Sequence, residues 1–296
     1  VTPLDSALAL TRGSPLGPIA FLSQLNPRNG IYTAIGYSSE ENKRVIGQVK
    51  CVQGRRSAQL TYITPHSASN SSILPVLFEG LAYQAGQWGA CSLLAEVDER
   101  DPLFEDLRRA GFVVYGWQKI FALPFRGGID YHQPGLWHFA PPEADHSIRH
   151  LYQTLVPPLM QAADPLPKGR LYGLIHHDNK ELMAYVESIY GPEGIYLLPL
   201  IHPDVENVKL LLANLEGYLS PLLGRKVYLA VRSHQAWLEI ALDDVVELKS
   251  SRQALMVKHL ASFQRVAIAN AHLAMIEETH AKASTPILKN YTNWMK

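Results

Sequence analysis

Residues 57–112 read SAQLTYITPHSASNSSILPVLFEGLAYQAGQWGACSLLAEVDERDPLFEDLRRAGF, and the reading of this stretch decides the fold. Ala58–Thr64 is apolar and β-branched and ends at Pro65, so it reads as a strand. A polar loop of small residues, 66–72, follows. From Ile73 the apolar residues Leu74, Leu77, Phe78, Leu81, Ala85 and Trp88 fall three and four apart and make one helical stripe. Ser71 or Ser72 stands where it can cap the first turn, and Gly89 lies where a left-handed residue ends a helix. Cys91–Val97 then reads as a buried strand, and Pro102–Ala110 as a short helix closed by Gly111.

On the N-terminal side, Ile31–Tyr37 and Arg44–Cys51 are apolar runs flanking the polar residues 38–43, which predicts a β-hairpin. A short helix is expected around Ile19–Leu25. On the C-terminal side, Phe112–Tyr115 and Lys119–Pro124 read as two further strands. A looser Gly-containing segment from Arg126 to Gly135 reads as a linker.

The same order then recurs. Ser147–Leu159 is an amphipathic helix. Leu171–Ile175 and Glu181–Ile189 flank a His-His-Asp-Asn-Lys turn. Ile195–Ile201 is a strand left at Pro203, Val205–Leu223 a helix, Lys226–Val231 a strand, Gln235–Asp244 a helix and Gln253–Leu260 a last strand. Matching positions keep nearly constant spacing: Ile31 with Leu171, Pro65 with Pro203, Gly89 with Gly224, Leu94 with Leu229 and Gln118 with Gln253, offsets of 140 down to 135. Such registration over a domain's length predicts an internal duplication. The division expected is 1–128, 136–260 and a tail, 261–296, without a counterpart in the first half.

Composition restricts the function classes. Lys plus Arg equals Asp plus Glu at 27 each, so no general attraction to nucleic acid or to an anionic membrane is expected. Cys51 and Cys91 are far apart and outside any C-x-x-C pair, as for reduced thiols of a cytoplasmic protein. No apolar stretch reaches the ~20 residues of a membrane span, and no signal peptide is read at the N-terminus.

The order strand, loop, long helix, strand ending in Glu96-Val97, and short helix ending in Ala110-Gly111-Phe112 resembles the core of the GNAT superfamily of acyl-CoA-dependent N-acyltransferases. The resemblance covers 31–125 well and 137–260 through the repeat. It implies an α/β fold with a mixed sheet, as two tandem GNAT-like domains, the first better preserved. It also implies acetyl-CoA or another acyl-CoA as co-substrate, and a small-molecule or peptide amine as acceptor. In this family the sheet splays between the strands corresponding to Ala58–Thr64 and Cys91–Val97. The pantetheine arm enters that gap and pairs with the first strand, and the pyrophosphate sits on amides that open the long helix. The residues implied are Ile63 and Thr64 on the strand and Ser67, Ser69, Asn70, Ser71 and Ser72 in the loop. Glu96, beside the gap, is the candidate base, and Tyr115 the nearest tyrosine for protonating the leaving thiolate.

The sequence also departs from the family. The loop lacks the usual glycines, and Leu107 stands where many relatives carry a tyrosine. In the second half the loop is His202-Pro203-Asp204-Val205-Glu206-Asn207. Pro203 lacks an N–H, and Asp204 is expected to cap the helix and repel a diphosphate, so usual CoA binding is not expected there. Two readings stay open: an N-acyltransferase, and a non-catalytic GNAT-like binding or interaction protein. Neither excludes a homo-oligomer. His176-His177-Asp178 reads as a solvated turn rather than a metal site, and His146 and His150 as surface residues.

Overall fold

The computed structural model describes residues 1–13, 29–38, 43–66, 72–123, 136–219, 225–242 and 248–260. The predicted helix around Ile19–Leu25, the linker and the tail lie outside these. Residues 1–262 form one compact unit.

Thirteen strands and seven α-helices are present among the described residues. In chain order they are β1 (Thr2–Pro3), α1 (Ser6–Arg12), β2 (Asn29–Ser38), β3 (Lys43–Val52), β4 (Ser57–Thr64), α2 (Ile73–Gln87), β5 (Ser92–Asp98), α3 (Leu103–Arg109) and β6 (Val113–Leu123). They continue with β7 (His138–Phe139), α4 (Asp145–Leu155), α5 (Pro158–Ala163), β8 (Gly173–Asp178), β9 (Glu181–Tyr190) and β10 (Gly194–Ile201). The last are α6 (Val208–Leu219), β11 (Lys226–Arg232), α7 (Leu238–Leu242), β12 (Leu248–Lys249) and β13 (Gln253–His259).

All strands belong to one mixed sheet in the order β2-β3-β4-β5-β13-β6-β11-β10-β9-β8-β7, with β1 paired to β4 and β12 to β6. The pairing pattern repeats. β2-β3-β4 is antiparallel and β4-β5 parallel; β8-β9-β10 is antiparallel and β10-β11 parallel. The turn from β8 to β9 is a tight pair, Asn179 and Lys180, both with positive φ.

The closing strands exchange places. β13, from the end of the second half, pairs with β5 of the first, with Leu255 opposite Glu96. β6, from the end of the first half, pairs with β11 of the second, with Ala230 opposite Ile120. The two exchanged strands run antiparallel to each other, and Gln118 faces Gln253 where they meet. The core follows the exchange. Ala254 and Met256 pack with α2, while Phe121 and Leu123 pack with α6. Leu255 and Val257, on the opposite face of β13, pack with α4 and α5.

Two expected elements differ. Phe112–Tyr115 and Lys119–Pro124 are a single strand, β6, with a register shift against β13 where Tyr115 is passed over. An irregularity of this kind bends a strand without ending it. The helix expected over Ser147–Leu159 stops at Leu155, because Pro157 forces Val156 into an extended conformation and a new helix starts at Pro158.

Candidate functional site

Each half has a split in the sheet, and the two splits differ in what they contain. In the first half β4 and β5 are paired only from Ser57/Ser92 to Gln59/Leu94, although both strands continue. The gap beyond is filled by the chain itself. Thr2 lies opposite Ile63 and Pro3 opposite Tyr62. The Leu4 N–H donates to Thr61 O at 2.9 Å, and Leu4 O accepts from the Glu96 N–H at 3.0 Å and from Gln59 Nε2 at 2.6 Å. The Leu4 side chain is fully enclosed in the first core. Residues 2–4 therefore form an extended strap bonded to both lips of the gap.

This strap reaches two of the residues singled out for the first half, Ile63 and Glu96. The backbone of Ile63 is in register with Thr2, and Thr64 pairs with Ile46 on the other side. Ser72 is the residue before α2, with helical angles and no side-chain capping bond. Ser67, Ser69, Asn70 and Ser71 lie outside the described residues. Glu96 faces the strap and caps α1, where its Oε2 accepts from the Ser6 N–H at 3.0 Å and from Gln118 Nε2 at 3.1 Å. Burial, with Asp5 nearby, pushes its carboxyl above the usual range. Tyr115 is buried among Leu94, Ile148 and Leu255, and burial raises its hydroxyl pKa too. Glu96 and Tyr115 both feel the Arg232 guanidinium, and the Glu96 carboxylate adds to the rise of the Tyr115 hydroxyl.

In the second half β10 and β11 are paired in parallel from Gly194/Lys226 to Leu197/Leu229 and then diverge. Among the described residues no strand pairs into this gap. Gln235 bridges toward its end, with Nε2 donating to Ile201 O at 2.9 Å. The His202 N–H donates to Met183 O, so by strand alternation Pro199 and Ile201 present their backbones to the gap. Pro199 is tolerated there because no ladder bond is required of it, and it brings no donor.

A cleft of about 610 Å³, mouth included, opens at this divergence. Its apolar wall includes Val156, Leu166, Leu198 and Leu200. Its polar groups come from both halves. Arg55, held by the turn through Gly54 (φ +89°), donates to Glu187 Oε1 at 2.9 Å and lies 4.0 Å from Asp164 Oδ1. Arg232, at the end of β11, donates to Asp164 Oδ2 at 3.0 Å. The four groups make a row of alternating sign: Glu187, Arg55, Asp164, Arg232. Burial pulls both guanidinium pKa values down, but their carboxylates outweigh it and hold them charged.

His234 also lines the cleft. Burial, then the Arg232 charge, lowers its pKa to about 4, so the ring is neutral near pH 7. Its Nδ1 and the Arg232 Nε are buried without hydrogen-bond partners. Tyr152 donates to Asp164 O at 2.9 Å and Tyr185 to Tyr172 O at 2.9 Å. Burial, then Asp164, pushes the Tyr152 hydroxyl up to about 12.

Asp204 does not cap the following helix, contrary to expectation. α6 begins at Val208, and Asn207 Oδ1 accepts from the Leu210 N–H at 3.0 Å. Asp204 is largely exposed and its N–H faces His202 Nδ1 at 3.3 Å. His176, expected in a solvated turn, is on β8 with Nδ1 2.7 Å from Leu136 O and its ring against Trp137. Among the described residues no group of three or more His, Cys, Asp or Glu is placed to hold a metal. No described helix is long and apolar enough to cross a membrane.

Sequence reasoning missed Arg55, Asp164, Glu187, Arg232 and His234. The signal available was Arg232 to His234 at the carboxyl end of a parallel strand, the end at which open α/β sheets receive ligands. Arg55 and Asp164 carry no such signal, because loops from different halves deliver them.

No family model matches the sequence, and no curated protein does. Among solved structures the chain is similar to a GCN5-related N-acetyltransferase from Kribbella flavida, at 12% identity over 81% of this chain and 93% of that one, with a TM-score of 0.49. It is similar to another from Sphaerobacter thermophilus at 11% identity, over 89% and 96%, with a TM-score of 0.47. A tandem GNAT protein from the clavulanic acid biosynthesis pathway is 16% identical over 86% and 93%, with a TM-score of 0.46.

Proposed function

We propose that the chain is an acyl-CoA-dependent N-acyltransferase whose thioester arm enters the split between β10 and β11. Its acceptor, an unidentified primary amine, meets the arm in the adjoining cleft. The observation that carries this reading is the divergence of these two parallel strands over an open cleft. The strap in the first half supports it by example: an extended segment is held there through backbone bonds to both lips, and a pantetheine arm has amides to do the same. Acetyl-CoA is the co-substrate to test first.

In the transfer, the amine nitrogen bonds to the thioester carbonyl carbon and the C–S bond breaks. The nitrogen gives up a proton and the departing thiolate takes one. Bond formation makes the nitrogen strongly acidic, so a weak base suffices at that stage. His234, which lines the cleft and is neutral near pH 7, is assigned that part. Tyr152 stays protonated at neutral pH and is assigned as the donor to the thiolate. Glu96 and Tyr115 become positioning residues that act through Arg232. The strand end that carries Ile63 and Thr64 would receive an arm only after residues 2–4 leave.

A second reading, a non-catalytic binding protein, draws on two observations. Both cleft carboxylates are already ion-paired, and Pro199 withholds a donor from the gap. Calorimetric titration with acetyl-CoA tests the proposal. One site per chain is expected, abolished by Leu198→Trp, which fills the cleft from a half-buried position. Two sites, or binding unaffected by L198W, would move the arm out of the second split. No binding at millimolar acetyl-CoA would leave only the second reading.

A further inference from the structure

The charged groups that line the cleft are occupied with one another. Its carboxylates are Asp164 and Glu187, and its guanidiniums are Arg55 and Arg232. Glu187 lies 2.9 Å from Arg55, while Asp164 lies 4.0 Å from Arg55 and 3.0 Å from Arg232. Each carboxylate therefore has a guanidinium in contact. Two positive charges stand against two negative ones, so the row as a whole is neutral. His234 adds no charge near neutral pH.

A neutral row discriminates between kinds of amine. A primary alkylamine arrives as an ammonium ion at neutral pH, as a lysine side chain does. Wherever it meets a carboxylate it also meets the guanidinium paired with that carboxylate, so attraction and repulsion largely cancel. Nothing then offsets the cost of taking its charge out of water. It must also lose a proton before its nitrogen can attack. Ion-paired carboxylates and a ring as weakly basic as His234 are poor acceptors for that proton. An aromatic amine meets neither obstacle. Its lone pair is delocalised into the ring, so the nitrogen is uncharged at neutral pH and already in the form that attacks. Its ring suits the rest of the lining, which is Val156, Leu166, Leu198 and Leu200 with the rings of Tyr152 and Tyr185.

We infer that the cleft takes an aromatic primary amine and rejects alkylammonium ions, the neutral row of Glu187, Arg55, Asp164 and Arg232 being the element that discriminates. Resting on the N-acyltransferase reading, this names the acceptor class. The uncharged nitrogen bonds to the thioester carbonyl carbon, the C–S bond breaks, and one nitrogen proton ends on the sulfur, with no proton released to solvent. Arg55 is the specificity-determining residue. It comes from the first half, and its charge keeps Glu187 from serving as an ammonium site.

The experiment is a calorimetric titration of the full chain at neutral pH with two isomers of one skeleton. In 5-aminoindane the amine is on the aromatic ring and uncharged; in 2-aminoindane it is on the saturated ring and an ammonium ion. The alcohols 5-indanol and 2-indanol, both uncharged, control for shape. The aromatic amine is expected to bind, and its isomer to bind roughly tenfold or more weakly, while the two alcohols differ by less. Arg55→Gln leaves the row one charge negative and should strengthen 2-aminoindane by roughly tenfold with little change for 5-aminoindane, a pattern that general damage to the fold would not give. Should that variant not fold, the native titrations alone decide. Equal binding of the two amines, or the same preference between the two alcohols, would overturn discrimination by charge, as would an Arg55→Gln protein that still rejects 2-aminoindane. Neither amine binding while acetyl-CoA binds would overturn the acceptor class and leave the acyltransferase reading intact. Selective binding of 5-aminoindane without binding of acetyl-CoA would uphold the cleft's preference and overturn the acyltransferase.

Discussion

Replacing Leu4 with alanine tests the strap, on which the assignment of the cofactor to the second half depends. Leu4 is fully buried in the first core, and its backbone bonds to Thr61 and Glu96 do not involve its side chain. L4A therefore keeps those bonds and removes three buried carbons. At ~0.8 kcal/mol each, and with a residual cavity, the loss is about 3–4 kcal/mol. For a unit of this size, with a urea slope of roughly 3 kcal/mol per molar, the midpoint should fall by about 1 M. Val1→Ala, at an exposed neighbour, should change stability by less than ~0.5 kcal/mol. Hydrogen exchange supplies a second readout, since the Glu96 amide should be protected in the native protein and exposed sooner in L4A. A loss below ~1 kcal/mol, together with fast exchange at Glu96, would mean that residues 2–4 do not occupy the gap. The first split would then be as available as the second.

Three further outcomes are expected. Gly173→Ala should destabilise by on the order of 3 kcal/mol in thermal melts, because its Cβ would lie 2.2 Å from the Val186 carbonyl oxygen, a backbone atom that cannot rotate away; an unchanged melting temperature would contradict the β8–β9 spacing. His234 has a folded pKa of about 4 against an ordinary value of 6.5, so between these the unfolded chain binds the extra proton. Stability should be complete above pH 6.5 and fall by on the order of 2 kcal/mol toward pH 4, and His234→Asn should flatten that slope in pH-dependent urea melts. Glu96 has the opposite sign. Its raised pKa contributes stability below about pH 4.5 that is lost as pH rises through the folded value, so Glu96→Gln should gain on the native protein as pH increases above 4.5; a native protein that gains on Glu96→Gln over that range would refute a raised Glu96.

Much of the fold was legible because local rules and tertiary packing agree. The stripe from Leu74 to Ala85 is the buried face of α2, and Gly89 and Gly111 take the positive φ expected at helix ends. The break at Pro157 was also written in the sequence, but the apolar spacing through Leu159 masks it. Leu159 turns out exposed. The exchange of β6 and β13 was not legible. Both strands have the same pattern as any closing strand, and nothing in Gln118 or Gln253 tells which half each one joins. The candidate site suffered from the same non-locality. A loop rich in serine drew attention to the first half, whereas Arg55 lies over a hundred residues from the other charged groups that line the open cleft. Arg55 and Glu187 meet only because the sheet is continuous. The strap was invisible for a simpler reason: Thr2-Pro3-Leu4 is too short to carry any periodicity.

The exchanged strands have a consequence for how the chain is made. A ribosome delivers residues 92–98 long before residues 253–259, yet β5 has β13 as its neighbour on one side. Until the end of the second half emerges, the lip of β5 has no native partner, and the nearest candidate of similar pattern is β6, which belongs elsewhere. Synthesis thus passes through an interval in which a wrong pairing is available and the right one does not yet exist. Closure over so long a loop is slow, and an unpaired strand edge invites association with other chains during the wait. Slowing elongation past residue 123 should lengthen that interval and lower the soluble yield, the reverse of what independently folding modules show.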